Sequence, residues 1–506
     1  MENSSEKQEL RGLLRKLFDL LRLSLTRLPV SRVTRNRMRI IFYRLFPAFE
    51  HHSDATREPG SIGNRTFFEK SPEESFLTPA EENCGYVPYH SEIPKIVPPA
   101  RVIAFYLPQF HQIPENDAWW GEGFTEWTNV KSALPQFKDH YQPRIPGELG
   151  YYNLLNPEVQ KRQVQLAKEY GIGGFCFHFY WFNGKTLLEQ PVINYLNNSS
   201  LDLSFCLSWA NENWTRRWDG LEQDVLIAQK HSPADDLAFI SHISRYLKDP
   251  RYIRVDGKPL LIIYRPGILP APEETVQRWR TWCTDNAVGD IFVAGTLSFD
   301  QPDPCLYGLN AMIEFPPNNM GTNDVLHPVE ESENFSGRIL EWRHLWRRIK
   351  YYDNPGTTIF RGVCPAWDNT ARRKSRATVF LNNTPAKYGE WLENAIRDTL
   401  IRFAERDKRL IFVNAWNEWA EGAYLEPDAK HGYAWLQATY DALRNTQRLA
   451  HQATYKIIVV SHDAHPHGAQ FLALELTRML VRDLGIGVQV ILLGDGELKG
   501  RFEAVT

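Results

Sequence analysis

Two glutamates three residues apart, Glu418 and Glu421, are the strongest candidates for catalysis in this sequence. They follow the apolar run Leu410–Val413, which is typical of a buried strand, and they lie among tryptophan and asparagine residues. One turn of chain would direct both carboxylates into one space. Like charges held that close raise the pKa of one group and leave the other ionised. The pair therefore suits glycoside chemistry, which needs one acid and one base, although a solvated pair at the start of a surface helix would have the same spacing.

Other polar and aromatic side chains follow the ends of predicted strands, where they could bind sugar hydroxyls or stack on sugar rings. The candidate substrate-binding residues are His111, His178, Tyr180, Trp209, Asn211, Glu212, Asn213, Trp214, Trp416, Asn417 and Trp419. Glu212 leaves a second catalytic pairing open, because a carboxylate on another strand could act with Glu418 in place of Glu421. A second interpretation of the 16 tryptophans is also open, since they could simply fill a large core.

Eight apolar runs alternate with mostly helical segments, which predicts parallel strands. The predicted helices include Thr186–Leu196 and Arg338–Tyr351. Eight such units fit an α/β fold, a closed (β/α)8 TIM-like barrel, in which residues after the C-terminal strand ends form the catalytic face. A doubly wound open sheet is the alternative architecture, but no glycine-rich phosphate loop follows the first strand. The predicted strands begin at or contain Val102, Gly173, Leu203, Leu260, Ile291, Ala311, Phe360 and Leu410.

The sequence pattern divides the chain into four segments. Residues 1–50 are predicted to be a basic amphipathic helical segment, which suits either a helix lying on an anionic membrane surface or a helix packed on another domain. Residues 51–98 are rich in Pro, Ser, Glu and Gly and are predicted to be a linker. The barrel occupies residues 99–449. Residues 455–506 are predicted to form an incomplete Rossmann-like βαβ unit, which suggests that the chain is part of a longer protein.

Composition narrows the classes of partner, cofactor and location. A formal net charge of -3 argues against nucleic acid as a partner. The six cysteines have no metal-ligand spacing, so neither a metal nor another cofactor is predicted, and their pattern indicates a reducing compartment. We find no signal peptide and no apolar run long enough to span a membrane. A cytoplasmic location is expected, with peripheral contact to the inner face of the membrane through residues 1–50 as an open alternative.

Four motifs at the predicted strand ends resemble the WbsX-type, glycoside hydrolase family 99-like domain over roughly Arg101–Leu449. The motifs are AFYLPQFH at Ala104–His111, FHFYWF at Phe177–Phe182, LSWANENW at Leu207–Trp214 and AWNEWAEG at Ala415–Gly422. The resemblance implies a (β/α)8 barrel and a role in the biosynthesis of a surface polysaccharide such as O-antigen, lipopolysaccharide or capsule. Some members are described as glycosyltransferases, so an oligosaccharide or polysaccharide substrate is expected.

The resemblance also implies a role for each glutamate. Family 99 enzymes are retaining endo-α-mannosidases with a similar Asn-Glu-Trp-x-Glu-Gly segment. By resemblance, Glu418 would be the base toward the sugar 2-hydroxyl, which attacks the anomeric carbon and forms a 1,2-anhydro sugar. Glu421 would protonate the leaving oxygen and later activate water or an acceptor. Ala420 stands where the mannosidases usually carry a bulkier polar residue, and both hydrolysis and transfer on mannose-like residues remain open.

The segment Lys456–Leu480 resembles the first βαβ unit of a family 4 glycosyltransferase, which is of the nucleotide-sugar-dependent B type. Any doubly wound domain could begin in the same way. The nucleotide-binding half of such a transferase would lie beyond Thr506. This leaves a second function open, a non-catalytic glycan-binding module that presents an acceptor to the fused transferase. The pair Glu418 and Glu421 favours an enzyme, because binding alone would need only the tryptophan and asparagine residues.

Overall fold

The computed structural model describes residues 85–216, 221–300, 303–318, 335–342, 356–451, 456–483 and 487–505. The predicted helical segment at residues 1–50, and residues 51–84 of the predicted linker, lie outside the described residues. The remainder of that linker lies against the barrel, since the Val87 backbone bonds to His431 and Tyr433 and the Pro94 carbonyl accepts from Tyr440.

Eight parallel strands form a closed barrel, which confirms the predicted (β/α)8 TIM-like fold. The first strand pairs with the second and with the eighth, and the remaining neighbours follow chain order, so no edge is left unpaired. Both faces of these strands are buried, which explains their continuous apolar sequences. The strands are β1 Arg101–Tyr106, β2 Ile172–Phe182, β3 Phe205–Trp209, β4 Lys258–Ile263, β5 Phe292–Thr296, β6 Ala311–Ile313, β7 Ile359–Val363 and β8 Leu410–Val413.

Helices follow most of the strands and cover the barrel. Several begin with a capping side chain, such as Asn156, Ser232 and Thr384, followed at once by proline, which suits the first helical turn. The helices are α1 Pro114–Trp120, α2 Glu126–Ser132, α3 Pro157–Glu169, α4 Gln190–Asn197, α5 Pro233–Leu247, α6 Pro272–Asp285, α7 Thr370–Arg373, α8 Pro385–Arg402, α9 Ala434–His451, α10 Gly468–Arg478 and α11 Lys499–Glu503.

Short strands outside the barrel extend its two ends and form part of the last segment of the chain. The final two pair in parallel and are joined through α10, as the predicted βαβ unit requires. The short strands are Lys185–Leu187, Trp214–Arg216, Leu221–Ile227, Arg254–Val255, Arg338–Glu341, Thr378–Leu381, Asn417–Glu418, Ala423–Tyr424, Lys456–Ser461 and Gly487–Leu492.

The predicted helix Arg338–Tyr351 is wrong at its start. Residues Arg338–Glu341 form a strand that pairs in parallel with Thr378–Leu381. Ile339 packs there with Val379 in a small apolar cluster, so tertiary pairing overrides the helical periodicity. Residues 343–351 of the predicted helix lie outside the described residues.

The predicted helix Thr186–Leu196 also begins too early. Lys185–Leu187 is a strand that pairs with the end of β2, which extends beyond the barrel. The helix α4 starts only at Gln190, and Pro191 lies in its first turn.

Close packing between β6 and β7 yields a stability prediction. A Cβ added at Gly362 in β7 would overlap the backbone carbonyl of Glu314 and lie 2.8 Å from the Pro316 ring. We expect Gly362→Ala to lower the free energy of unfolding by about 3 kcal/mol, because the Glu314 backbone would have to move to relieve the overlap. Chemical denaturation measures the loss. Gly468→Ala is the matched control, since a Cβ there meets no atom within 4 Å; equal stability of the two variants would contradict the packing described.

Candidate active site

A cavity of about 440 Å³ opens where the C-terminal ends of the barrel strands meet. Its wall combines polar groups with many aromatic rings, a composition that suits a sugar, which presents both hydroxyls and apolar C–H faces. Aromatic side chains that line it are Trp120, Tyr180, Trp214, Tyr264, Phe299, Phe315 and Trp367.

Glu418 and Glu421 both line this cavity. The two-residue strand Asn417–Glu418 pairs with Ala423–Tyr424, and the residues between them form a single 3-10 turn. Gly422 closes that turn in the left-handed conformation, with φ of 63°, which glycine adopts without steric cost. The tight hairpin thus turns both carboxylates toward the cavity.

Arg372 joins the two glutamates to a third carboxylate. One guanidinium nitrogen lies 2.9 Å from Glu418, a second lies 2.8 Å from Glu421, and Nε lies 2.8 Å from Glu126. Glu126 is fully buried at the start of α2, and Arg372 belongs to the short helix α7 after β7. One cation therefore holds three carboxylates at one side of the cavity.

Burial has the largest influence on the pKa values of the two cavity glutamates. It raises the pKa of both Glu418 and Glu421, while the charge of Arg372 lowers them and that of Glu126 raises them again. Three carboxylates outnumber one guanidinium, so a proton held by the pair relieves the excess negative charge. Burial and the charge of Glu126 therefore favour a proton retained by the pair Glu418 and Glu421.

Two side chains in the second half of β2, His178 and Tyr180, supply uncharged hydrogen-bonding groups. Burial, with a smaller effect of Arg372, lowers the pKa of His178 to about 4, so its imidazole is neutral at physiological pH. Burial also raises the pKa of Tyr180, which keeps the phenol protonated. Both side chains line the cavity and can bind hydroxyl groups without adding charge.

Glu212, Asn213 and Trp214 line the cavity as well. One Glu212 oxygen lies 2.7 Å from Arg265, which occupies that oxygen in an ion pair. The Asn213 side chain accepts a hydrogen bond from the Gln229 backbone, which fixes the loop after β3. Arg265 thus holds the Glu212 carboxylate at the cavity wall.

Three predicted substrate-binding tryptophans point away from the cavity, which corrects that prediction. Trp209 and Trp416 lie in the layer between strands and helices, where Trp209 stacks on Phe239 with ring centroids 4.7 Å apart. Trp419 stacks on Tyr424 at 3.8 Å. All three rings are at most 1% exposed and none lines the cavity, so they belong to the core.

Three predicted polar ligands are structural, which is a second correction. The fully buried Asn211 exchanges two hydrogen bonds with the Arg265 backbone, and Asn417 does the same with Leu107. His111 is buried and its Nδ1 lies 2.9 Å from the Pro108 carbonyl. These contacts hold the loops after the strands, and none of the three side chains lines the cavity.

Sequence reasoning missed Glu126 and Arg372. Glu126 lies in the tryptophan-rich loop after β1, and Arg372 follows the strand-end residues after β7, so position alone was a signal for both. The predicted pair Glu418 and Glu421 was itself a further signal, because carboxylates buried together require a nearby cation, and the sequence prediction included no cation for them.

No group of three or more His, Cys, Asp or Glu side chains that could hold a metal ion occurs in the described part of the chain. None of the helices within the described ranges combines the length and apolarity needed to cross a bilayer.

Two tryptophans five residues apart give a matched test of this site. We expect Trp209→Ala to lower the free energy of unfolding by about 3–5 kcal/mol, because it leaves a cavity in the core. Trp214→Ala should cost less stability but weaken glycan binding about tenfold, because it removes an aromatic face from the cavity. Denaturation and calorimetric titration measure the two effects. A larger loss of glycan affinity for Trp209→Ala than for Trp214→Ala, at equal folded fraction, would contradict the assignment.

Two solved structures illustrate the barrel's resemblance to known folds. One is named "Glycoside hydrolase-like protein", with 15% identity, coverage of 71% of this chain and 98% of that chain, and a TM-score of 0.45. The other is the GH99 endo-alpha-mannosidase from Bacteroides thetaiotaomicron, with 16% identity, coverage of 70% and 99%, and a TM-score of 0.44.

Curated relatives and a family model match most of the chain. Two proteins named "Uncharacterized protein WxcX", from Xanthomonas campestris pv. campestris strains B100 and ATCC 33913, are 46% and 47% identical over 437 and 438 residues. Each alignment covers 86% of this chain and 61% of the relative, so the chain spans about three fifths of the length of these relatives. The model described as "Glycosyltransferase WbsX" matches residues 102–439. The chain therefore belongs to the WbsX glycosyltransferase family.

Proposed function

We propose that this protein cleaves or transfers glycosidic bonds of a glycan, with Glu418 and Glu421 as its catalytic residues. The observation that carries the proposal is the pair of carboxylates at the cavity wall, of which Glu418 is buried and Glu421 half-buried, both held by one guanidinium. Burying such charges is costly, and a site that only bound sugar would not need them. Membership of the WbsX family supports a carbohydrate substrate.

The mechanism that we favour uses the sugar's own 2-hydroxyl as nucleophile. Glu418 removes the proton of this hydroxyl, its oxygen attacks the anomeric carbon, and Glu421 protonates the departing oxygen. A 1,2-anhydro sugar results. Glu421, now ionised, takes a proton from water or an acceptor hydroxyl, which attacks the same carbon while the ring-opening oxygen regains its proton from Glu418. Two inversions give net retention of configuration.

A mannose-like residue suits this route. In an α-mannoside the 2-oxygen and the leaving oxygen lie on opposite faces of the ring and are both axial, which is the alignment that displacement requires. His178, Tyr180 and Asn213 are the groups that we expect to bind hydroxyls, and Trp214 offers an aromatic face. Water and an acceptor sugar are interchangeable in the second step, so hydrolysis and transfer share one machinery.

We further propose that the glycan belongs to a cell-surface polysaccharide, as the resemblance to WbsX-type domains implies. The βαβ unit that contains α10 would then begin a nucleotide-sugar glycosyltransferase domain. The glycan-binding module remains the alternative for the barrel, but it assigns no chemical role to the paired carboxylates of Glu418 and Glu421.

Leaving-group dependence tests the two assignments. We expect Glu421→Gln to slow cleavage of substrates with poor leaving groups by about 100- to 10,000-fold and to spare activated aryl mannosides, which need little protonation. Glu418→Gln should damage both substrate types alike, because attack by the 2-hydroxyl is needed in each. Steady-state kinetics on a matched pair of α-mannosides measures the contrast.

Glu189→Gln is the matched control, because Glu189 is a buried, arginine-paired carboxylate outside the cavity wall. It should retain wild-type discrimination between the two substrates. A 2-deoxy substrate should fail with the wild type. Turnover of that substrate, or a glycosyl adduct on Glu418 or Glu212 in the mass spectrum after a 2-fluoro substrate, would contradict the route through the 2-hydroxyl.

A further inference from the structure

We infer that Glu126 and Arg372 act as a single electrostatic clamp on the catalytic pair. Arg372 is a positioning residue for both Glu418 and Glu421, and Glu126 is the buried charge that orients Arg372 and keeps one proton on the pair. The inference rests on the proposed function, because it assigns the source of the acid that the reaction uses.

The geometry of the guanidinium supports the positioning role. Its three nitrogens each contact a different carboxylate, at 2.8 Å for Glu126 and Glu421 and 2.9 Å for Glu418. A planar group with donors in fixed directions can set the separation of two carboxylates, whereas an ammonium is a point charge on a flexible stem. The Arg372 side chain is itself 13% exposed, so solvent does little to weaken these contacts.

The contacts of Glu126 indicate that its side chain acts through its charge and does not mainly hold the local backbone. Its side chain is fully buried, yet one carboxylate oxygen, Oε2, has no hydrogen-bond partner in the described part of the chain. A buried carboxylate that local structure does not saturate is costly to keep. Among the ion pairs of the described residues, Glu126 has one charged partner, Arg372, which also holds the catalytic pair.

Charge counting shows what Glu126 does to the pair. With all three carboxylates ionised the cluster has a net charge of −2, and one proton on the pair reduces it to −1. Without the charge of Glu126 the fully ionised cluster would already stand at −1, and the pair would release its proton more readily. Glu126 therefore raises the tendency of the pair to hold a proton, and Arg372 opposes it.

The other groups that face the clamp do not change this sign. His178 and Tyr180 approach from β2, and both are uncharged at neutral pH. Arg373 approaches from α7 and lowers the pKa of Glu421 through its charge. Asp368 lies behind the turn, where His140, Gln142 and Arg144 contact its side chain.

Opposite shifts of the pH profile test the inference. Glu126→Gln should move both limbs of the kcat/KM profile to lower pH by about one unit, because it removes a negative charge near the pair. Arg372→Gln should move them to higher pH. Arg372→Lys should restore the wild-type profile but retain a lower kcat, because the charge returns without the fixed fork. Arg372→Gln could fail to fold, in which case the isosteric Glu126→Gln variant decides.

A titration without substrate separates this inference from the proposed function. The carboxyl carbons of labelled glutamates, assigned with the Glu418→Gln and Glu421→Gln variants, report the same shifts by NMR. Absence of turnover by the wild type on any glycan would refute the proposed function, while the titration would still decide the clamp. Glu189→Gln, which alters a buried ion pair elsewhere, should leave the profile and the titration of the pair unchanged.

Either of two results would overturn the clamp. One is a Glu126→Gln profile that superimposes on the wild type, or differs only in amplitude. The other is a shift of equal size and sign in the Glu189→Gln control.

Discussion

The ion pairs of Arg372 with three carboxylates are the interaction on which the site depends. Glu126 follows β1, Arg372 follows β7, and the pair Glu418 and Glu421 follows β8. These three strands are neighbours in the closed sheet, because β8 pairs with both β1 and β7. Barrel closure therefore brings together charges that lie up to 295 positions apart in the numbering, between Glu126 and Glu421. An open sheet with β1 and β8 at opposite edges would separate them.

A buried network outside the cavity supports the turn that holds Glu418 and Glu421. Glu426 accepts hydrogen bonds from Trp419 at 2.7 Å, from Gln163 at 2.6 Å and from Tyr152 at 3.0 Å. Burial raises the pKa of Glu426 to about 7, with the Trp419 hydrogen bond the first of those that lower it. The motif around Glu418 and Glu421 is thus divided between residues that line the cavity and residues that hold the turn. Asn417 belongs to the second group, since it ties the turn to the loop after β1.

The sequence predicted the barrel because its signal is local and repeated. Each strand is an apolar run that ends in polar residues, and eight such runs alternate with helices, so errors in single elements such as Arg338–Glu341 do not alter the topology. The predicted pair Glu418 and Glu421 lies at the cavity for the same reason. What could not be predicted is the direction of each side chain after a strand end, where the period of two breaks down. Trp209 and Trp214 look alike in sequence, yet only the second lines the cavity.

The clamp was missed for a different physical reason. Arg372 is 246 residues from Glu126 and 46 from Glu418, and no local pattern links an arginine to carboxylates at such separations. Barrel closure, together with the packing of α2 and α7 at the end of the barrel, brings them into contact.

A crystal structure with a mannose-configured iminosugar tests the central claim most directly, because the cationic nitrogen of such a ligand imitates the charge that develops at the anomeric centre. The account predicts that this nitrogen lies about 3 Å from a carboxylate oxygen of Glu418 or Glu421, with the sugar ring inside the cavity. A ligand bound elsewhere on the barrel, with Glu418 and Glu421 still in contact with Arg372 and not with the ligand, would contradict the account.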